Sequence, residues 1–194
     1  MTFSGVLNCK SCHEFVAISG TGTIEDFEYY DQFTGEYDRE RFEIFTPAFF
    51  YPPLPIFKIP EKCPPLIKDE IILSFALFWV DLSSCANKIR TAIEILLTQE
   101  KVKRSVIKNK KRRRLNLHDR IVEYQKKNSQ IAEYLLAIKW IGNTGSHVGT
   151  LSQTDILDAY ELLDFSLRKL YDNNEQTLNK MIKEINKRKG TRKK

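Results

Sequence analysis

The chain has 194 residues, of which 42% are apolar and 29% charged, enough for one good core with a small appendage and too apolar for wholesale disorder. Its longest apolar run, Ile71 to Val80, is interrupted by Ser74 and stops at Asp81, about half of the ~20 residues a spanning helix needs, and no basic-then-apolar leader opens the sequence, so a soluble, cytoplasmic protein with no membrane partner is expected. Charge is unevenly divided: residues 1–62 hold ten acids and five bases, net −5, so the rest carries +11 of the overall +6, a balance suited to a polyanion such as RNA or DNA.

Residues 1–62 are predicted to form a small β or irregular accessory segment. Phe15 to Ile18 and Arg41 to Phe45 are strand-like, Gly20 and Gly22 punctuate the pattern, and the proline-rich stretch from Pro47 to Pro65 excludes a helix and serves as a connector. With no secretion signal and no need of staples, the four cysteines (Cys9, Cys12, Cys63, Cys85) are expected to be reduced, and Cys85 falls inside an apolar helical pattern that makes it core.

From Leu66 the apolar period becomes helical, through Ile67, Ile71, Phe75, Phe78, Leu82, Ala86, Ile89, Ile93 and Leu97, as one long or broken helix with Ser83-Ser84 the expected break. Lys101 to Arg114, with nine bases in fourteen residues, lacks that period and reads as a loop or a solvated helix extension. Its Lys108, Lys110, Lys111, Arg112, Arg113 and Arg114 are the candidate nucleic-acid-binding residues. Helices are then predicted over Leu115–Lys127 and Ser129–Ile141, and from a capping box at Ser152 and Asp155 through Leu170. A last one runs from Glu175 to about Lys187, and Lys180 to Lys194 adds eight bases against one acid. The fold expected is mainly α: an antiparallel bundle of four to five helices over 63–173, the accessory segment before it, and a basic C-terminal helix and tail over 174–194.

Near the end of the fourth predicted helix, Lys139, Asn143 and His147 stand four residues apart. At about 100° per residue they share one face if the helix persists, while Gly142 and Gly145 suggest a helix end that leaves them at an edge. An imidazole moves protons near neutral pH, and a neighbouring cation holds a phosphate and stabilises charge developing on it. With His147 as acid or base, Lys139 on the scissile phosphate and Asn143 orienting one of them, the trio is suited to cleaving RNA through its 2′-hydroxyl, with no cofactor required.

The segment Lys139-Trp-Ile-Gly-Asn-Thr-Gly-Ser-His147 resembles the Arg-x-x-Gly-Asn-x-x-x-His signature of a bacterial branch of the HEPN superfamily, catalogued as domain of unknown function 4145. Ile89-Arg-Thr-Ala-Ile-Glu94 is similar to its Arg-x-x-x-Glu helix, Leu117-His-Asp-Arg-Ile121 to its next helix start, and Asp155 to Tyr171 to its closing helix. The resemblance implies an α-helical bundle, a homodimer pairing two copies of His147 across a two-fold axis, and metal-independent ribonuclease activity in prokaryotic defence or toxin–antitoxin systems. It implies a supporting role for Arg90 and Glu94, which also suit a surface ion pair. Lys139 stands where the signature has arginine, and lysine lacks the planar two-pronged grip on phosphate. Cys9-Lys-Ser-Cys12 resembles the first knuckle of the zinc ribbon that often precedes this domain. The second knuckle is missing, so zinc at Cys9 and Cys12 would need further ligands, for which only Cys63 and the badly placed His13 are candidates, and the alternative is a decayed ribbon that has lost its metal.

Three readings follow. In the first the chain is an endoribonuclease. In the second it is a non-catalytic module that binds nucleic acid, dimerises or docks on a partner protein of a defence or restriction complex. In the third the acidic N-terminal segment is an arm covering the basic bundle.

Overall fold

A computed structural model describes residues 1–33, 35–108, 110–147, 151–172 and 174–189, with the side chains of residues 108, 144–147 and 174–180 outside that description. In chain order the elements are β1 (Thr2–Asn8), β2 (Phe15–Asp31), β3 (Glu36–Tyr51), α1 (Pro65–Leu77), α2 (Leu82–Gln99), β4 (Ser105–Lys108), β5 (Lys111–Arg114), α3 (Leu117–Gln125), α4 (Ser129–His147), α5 (Gln153–Tyr171) and α6 (Asn174–Arg188). No helix among the described residues is long and apolar enough to cross a membrane.

The N-terminal segment is larger and more regular than its sequence suggests, which makes the architecture mixed rather than mainly α. Strands β1, β2 and β3 form an antiparallel sheet in that order. Strand β1 covers only Phe15 to Thr21 of β2, and beyond it β2 and β3 continue as a two-stranded arm. Ile24, Phe27, Tyr29, Tyr30, Tyr37, Phe42 and Ile44 are all exposed on this arm. Cross-strand pairs hold it: Glu28 with Arg39, Asp26 with Arg41 at 3.0 Å, Tyr30 against Tyr37 and Phe27 against Phe42. With both faces wet, no apolar alternation marks these strands in the sequence. Gly20 sits at a register shift between β2 and β3, where a Cβ would collide with the Thr46 carbonyl.

The proline-rich connector is part of the core. Ile56, Phe57 and Ile59 pack on the helices, and the Phe57 ring lies 5.3 Å from Phe75 and 5.9 Å from Tyr160. Pro65 starts α1 at a position where a missing N–H costs nothing. The break between α1 and α2 falls at Phe78–Asp81, ahead of Ser83-Ser84, because the Asp81 carboxylate accepts from the Ser84 N–H at 3.0 Å and caps α2.

Helix α2 is the hub, touching each of α1, α3, α4 and α5. The core includes Ile67, Ile71, Phe75, Cys85, Ile89, Ile93, Leu97, Ile121, Leu135, Leu163 and Leu167. One polar knot lies inside it: the Tyr160 hydroxyl is 2.9 Å from Ser74 Oγ and 3.1 Å from Cys85 Sγ, and Ser74 donates to the Ile71 carbonyl. The capping box expected at Ser152 and Asp155 is present. Helix α4, capped by the Asn128 side chain on the Ile131 N–H, runs on past Ile141 to His147. An interior glycine costs a helix about 1 kcal/mol relative to alanine but does not end it.

The segment from Lys101 to Arg114 is also corrected. Strands β4 and β5 pair antiparallel, with Lys108 opposite Lys111 and Lys110 at a φ of 60° in the turn, and the Leu115 N–H donates to the Arg104 carbonyl at the hairpin's base. Asn109, residues 148–150, Asn173 and the tail at 190–194 lie outside the described residues.

Ile93→Ala, which truncates a fully buried side chain on the hub helix, is expected to lower unfolding free energy by roughly 2–5 kcal/mol in urea titration. Phe33→Ala, at the exposed arm tip, is expected to change it by less than about 0.5 kcal/mol.

Candidate functional site

Two crevices flank α2. The first lies between Ala86, Asn87, Arg90 and Ile93 of α2 and Ile138, Lys139 and Gly142 of α4. It brings the Arg90 and Lys139 side chains, 49 positions apart in the chain, onto one small hollow. Apart from its chain neighbours and the helix's own backbone, a Cβ at Gly142 would meet no described atom within 4 Å.

Because α4 stays helical to His147, Lys139, Asn143 and His147 do fall at successive turns on one face of the backbone. Lys139 and Asn143 are half-buried, and the Lys139 ammonium rests 3.2 Å from the centroid of the exposed Trp140 ring. The His147 side chain lies outside the described residues. Arg90 makes the expected i,i+4 ion pair, its Nε 3.6 Å from Glu94 Oε1. Sequence reasoning passed over His118. Its ring lies 5.9 Å from that of Trp140, and its buried Nδ1 has no hydrogen-bond partner.

The second crevice is a cleft of about 470 Å³ that adjoins the first at Arg90. Arg90 and Glu94 line it from α2, Arg104 and Arg114 from the two feet of the hairpin, and Asn116 and Arg120 from the start of α3. Arg120 is only 4% exposed. Its guanidinium donates to the Glu94 carbonyl at 3.0 Å and to Thr98 Oγ1 at 2.9 Å, and Arg104 Nε reaches the same hydroxyl at 3.2 Å. Burial lowers the Arg120 pKa, nearby Glu94 opposes that, and the charges of Arg104 and Arg114 press it down further. Of these four arginines only Arg90 and Arg114 stood out in the sequence.

The other basic candidates stay on the hairpin. Lys110, Lys111, Arg112 and Arg113 are exposed, with Arg112 Nε 2.9 Å from Ser105 Oγ and Arg113 3.4 Å from Asp119, while the Lys108 side chain lies outside the described residues.

The cysteines separate into two kinds. Cys9 and Cys12 are exposed in the turn between β1 and β2, where His13 takes a φ of 60° and returns its N–H to the Cys9 carbonyl. Cys63 is buried with the helical core. Among the described residues no three histidine, cysteine, aspartate or glutamate side chains are grouped to hold a metal ion.

The family model described as Domain of unknown function (DUF4145) matches residues 74–188, a span that contains both crevices, and one described as Domain of unknown function (DUF8608) matches residues 1–50, the sheet. Neither a curated protein nor a solved structure matches the chain.

Burial pushes the thiols of Cys63 and Cys85 up to about 11, whereas backbone N–H donors from Cys12 and Ser11 lower that of Cys9. Since the thiolate is the reactive form and must be reached, the exposed Cys9 is expected to react fastest with an aromatic disulfide reagent near pH 7.5, the exposed Cys12, whose pKa is raised, more slowly, and the two buried thiols only in denaturant. A native pKa above the reference value of 9.0 means the folded chain holds these protons longer than the unfolded one, so their contribution to stability declines as pH rises from 9.0 to about 11. Four fast thiols in the native protein would contradict the buried placement.

Proposed function

We propose that this chain, a member of the family described as Domain of unknown function (DUF4145), acts on RNA as a metal-independent endoribonuclease of HEPN type in prokaryotic defence or toxin–antitoxin biology. The observation that carries the reading is the shared hollow of Arg90 and Lys139 at the edge where α4 carries Asn143 and His147. Lysine replaces the arginine of the HEPN-like signature, and Arg90 supplies a guanidinium in the same hollow, restoring a planar donor for a phosphate.

The chemistry balances without a cofactor. His147 takes the proton of the ribose 2′-hydroxyl, the 2′-oxygen bonds to phosphorus, and the bond to the 5′-oxygen breaks. The 5′-oxygen takes back the proton that His147 removed, directly or through water, which leaves a 2′,3′-cyclic phosphate and a 5′-hydroxyl and returns the imidazole to its neutral form. Lys139 and Arg90 stabilise the added charge on the phosphoryl oxygens, and Asn143 orients the imidazole or the phosphate. A homodimer pairing two α4 ends would double these groups in one cleft.

A second reading has a specific observation in its favour. The exposed bases of the β4–β5 hairpin form a row suited to holding a phosphate backbone without cutting it, as in a nucleic-acid-binding or docking module of a defence complex.

In EDTA the purified protein is expected to cleave single-stranded RNA and leave DNA intact, with 2′,3′-cyclic ends detected by mass spectrometry. His147→Ala is expected to abolish cleavage, and Arg90→Gln to slow it about 100-fold. Reversing Lys110, Lys111 and Arg112 to glutamate is expected to weaken binding and flatten its salt dependence by about 0.7 per lost phosphate contact. Binding without cleavage across RNA sequences and salt concentrations would leave the second reading alone.

A further inference from the structure

The cleft between α2, α3 and the hairpin's base shares only Arg90 with the chemistry assigned to the end of α4, yet it gathers more positive charge. We infer that it is a binding site for a phosphate monoester, formed by Arg90, Arg104, Arg114 and Arg120. Among its lining residues Glu94 is the one acid, and that carboxylate is shared with Arg90 at 3.6 Å. Four guanidinium groups against one carboxylate leave the cleft at +3.

Arg120 makes the case for a ligand. It is almost wholly buried, its two described hydrogen bonds go to a carbonyl and a hydroxyl, and its Nε–H is buried with no acceptor. A buried charge whose one nearby carboxylate, Glu94, is shared with Arg90 is costly, and the same arrangement becomes favourable once an anion enters beside it. The start of α3, at Asn116 and Leu117, opens on the same space and adds the partial positive charge of a helix N-terminus.

A monoester suits the site better than a chain phosphodiester. It carries nearly two negative charges near neutral pH and three terminal oxygens for forked donors, where a diester carries one charge and two free oxygens. The volume of about 470 Å³ accepts a nucleotide. Two sources share this chemistry, a terminal phosphate of RNA and a free mononucleotide. Only the first rests on the RNA reading.

The test uses the full chain and four probes. Calorimetry compares 5′-AMP with adenosine, and fluorescence anisotropy compares a short RNA bearing a terminal phosphate with its hydroxyl-ended twin. Binding of 5′-AMP but not adenosine is expected, with the phosphorylated RNA held at least about tenfold more tightly than its twin. The Arg104→Gln/Arg114→Gln variant, altered only at exposed positions, is expected to keep its circular dichroism and melting temperature and lose both preferences. If 5′-AMP binds but neither RNA does, the monoester site stands and the RNA reading falls. Equal binding of the two RNAs with 5′-AMP bound assigns the site to a free nucleotide. If both RNAs bind equally and 5′-AMP fails to bind, the inference is overturned while the RNA reading survives.

Discussion

The Thr98 hydroxyl and the Arg120 guanidinium set the geometry on which the candidate sites depend. Thr98 donates to the Glu94 carbonyl at 2.9 Å and accepts from both Arg120 and Arg104, so one hydroxyl joins the last turns of α2, the first turn of α3 and the foot of the hairpin. Arg120 adds its own bond to the Glu94 carbonyl, occupying an acceptor that α2 would otherwise share only with Thr98. Placing a guanidinium there is expensive unless its donors are met, and partial satisfaction by neutral acceptors explains why the cleft retains its charge.

Around that junction α2 works as an axle. Its apolar face, through Cys85, Ile89, Ile93 and Leu97, is sealed by the other helices, and its polar flank divides into two hollows. Helix α4 supplies one wall of the first and the hairpin supplies one wall of the second. The start of α3 supplies another wall of the second, while the Tyr160 knot and the strapped connector line neither crevice.

What could be read in the sequence follows from where the physical signal was local. The one-sided apolar period of α2, the capping box of α5 and the four-residue spacing of Lys139, Asn143 and His147 are written within single helices. The hairpin at β4 and β5 was obscured because its strands are four residues long and its apolar content is confined to Val106 and Ile107. Lys110 takes a φ of 60° in the turn, a position that a lysine does not advertise. The helix break was displaced because Asp81, an ordinary acid in sequence, is the stronger cap. Arg104 and Arg120 were invisible as site residues, since only tertiary packing places them with Arg90 and Arg114. The long sheet arm was undercalled for the reason its faces show: neither is buried, so nothing forces its residues to alternate.

Arg90 lines both hollows, at the edge they share on α2, and its guanidinium has a single charge to divide between them. A side chain with two destinations links what happens in each: an anion that draws it toward the hairpin withdraws it from α4. Thermodynamic reciprocity then requires that occupancy at α4 weaken the other pocket by the same factor. Were both hollows occupied by anions, they would compete for this one side chain.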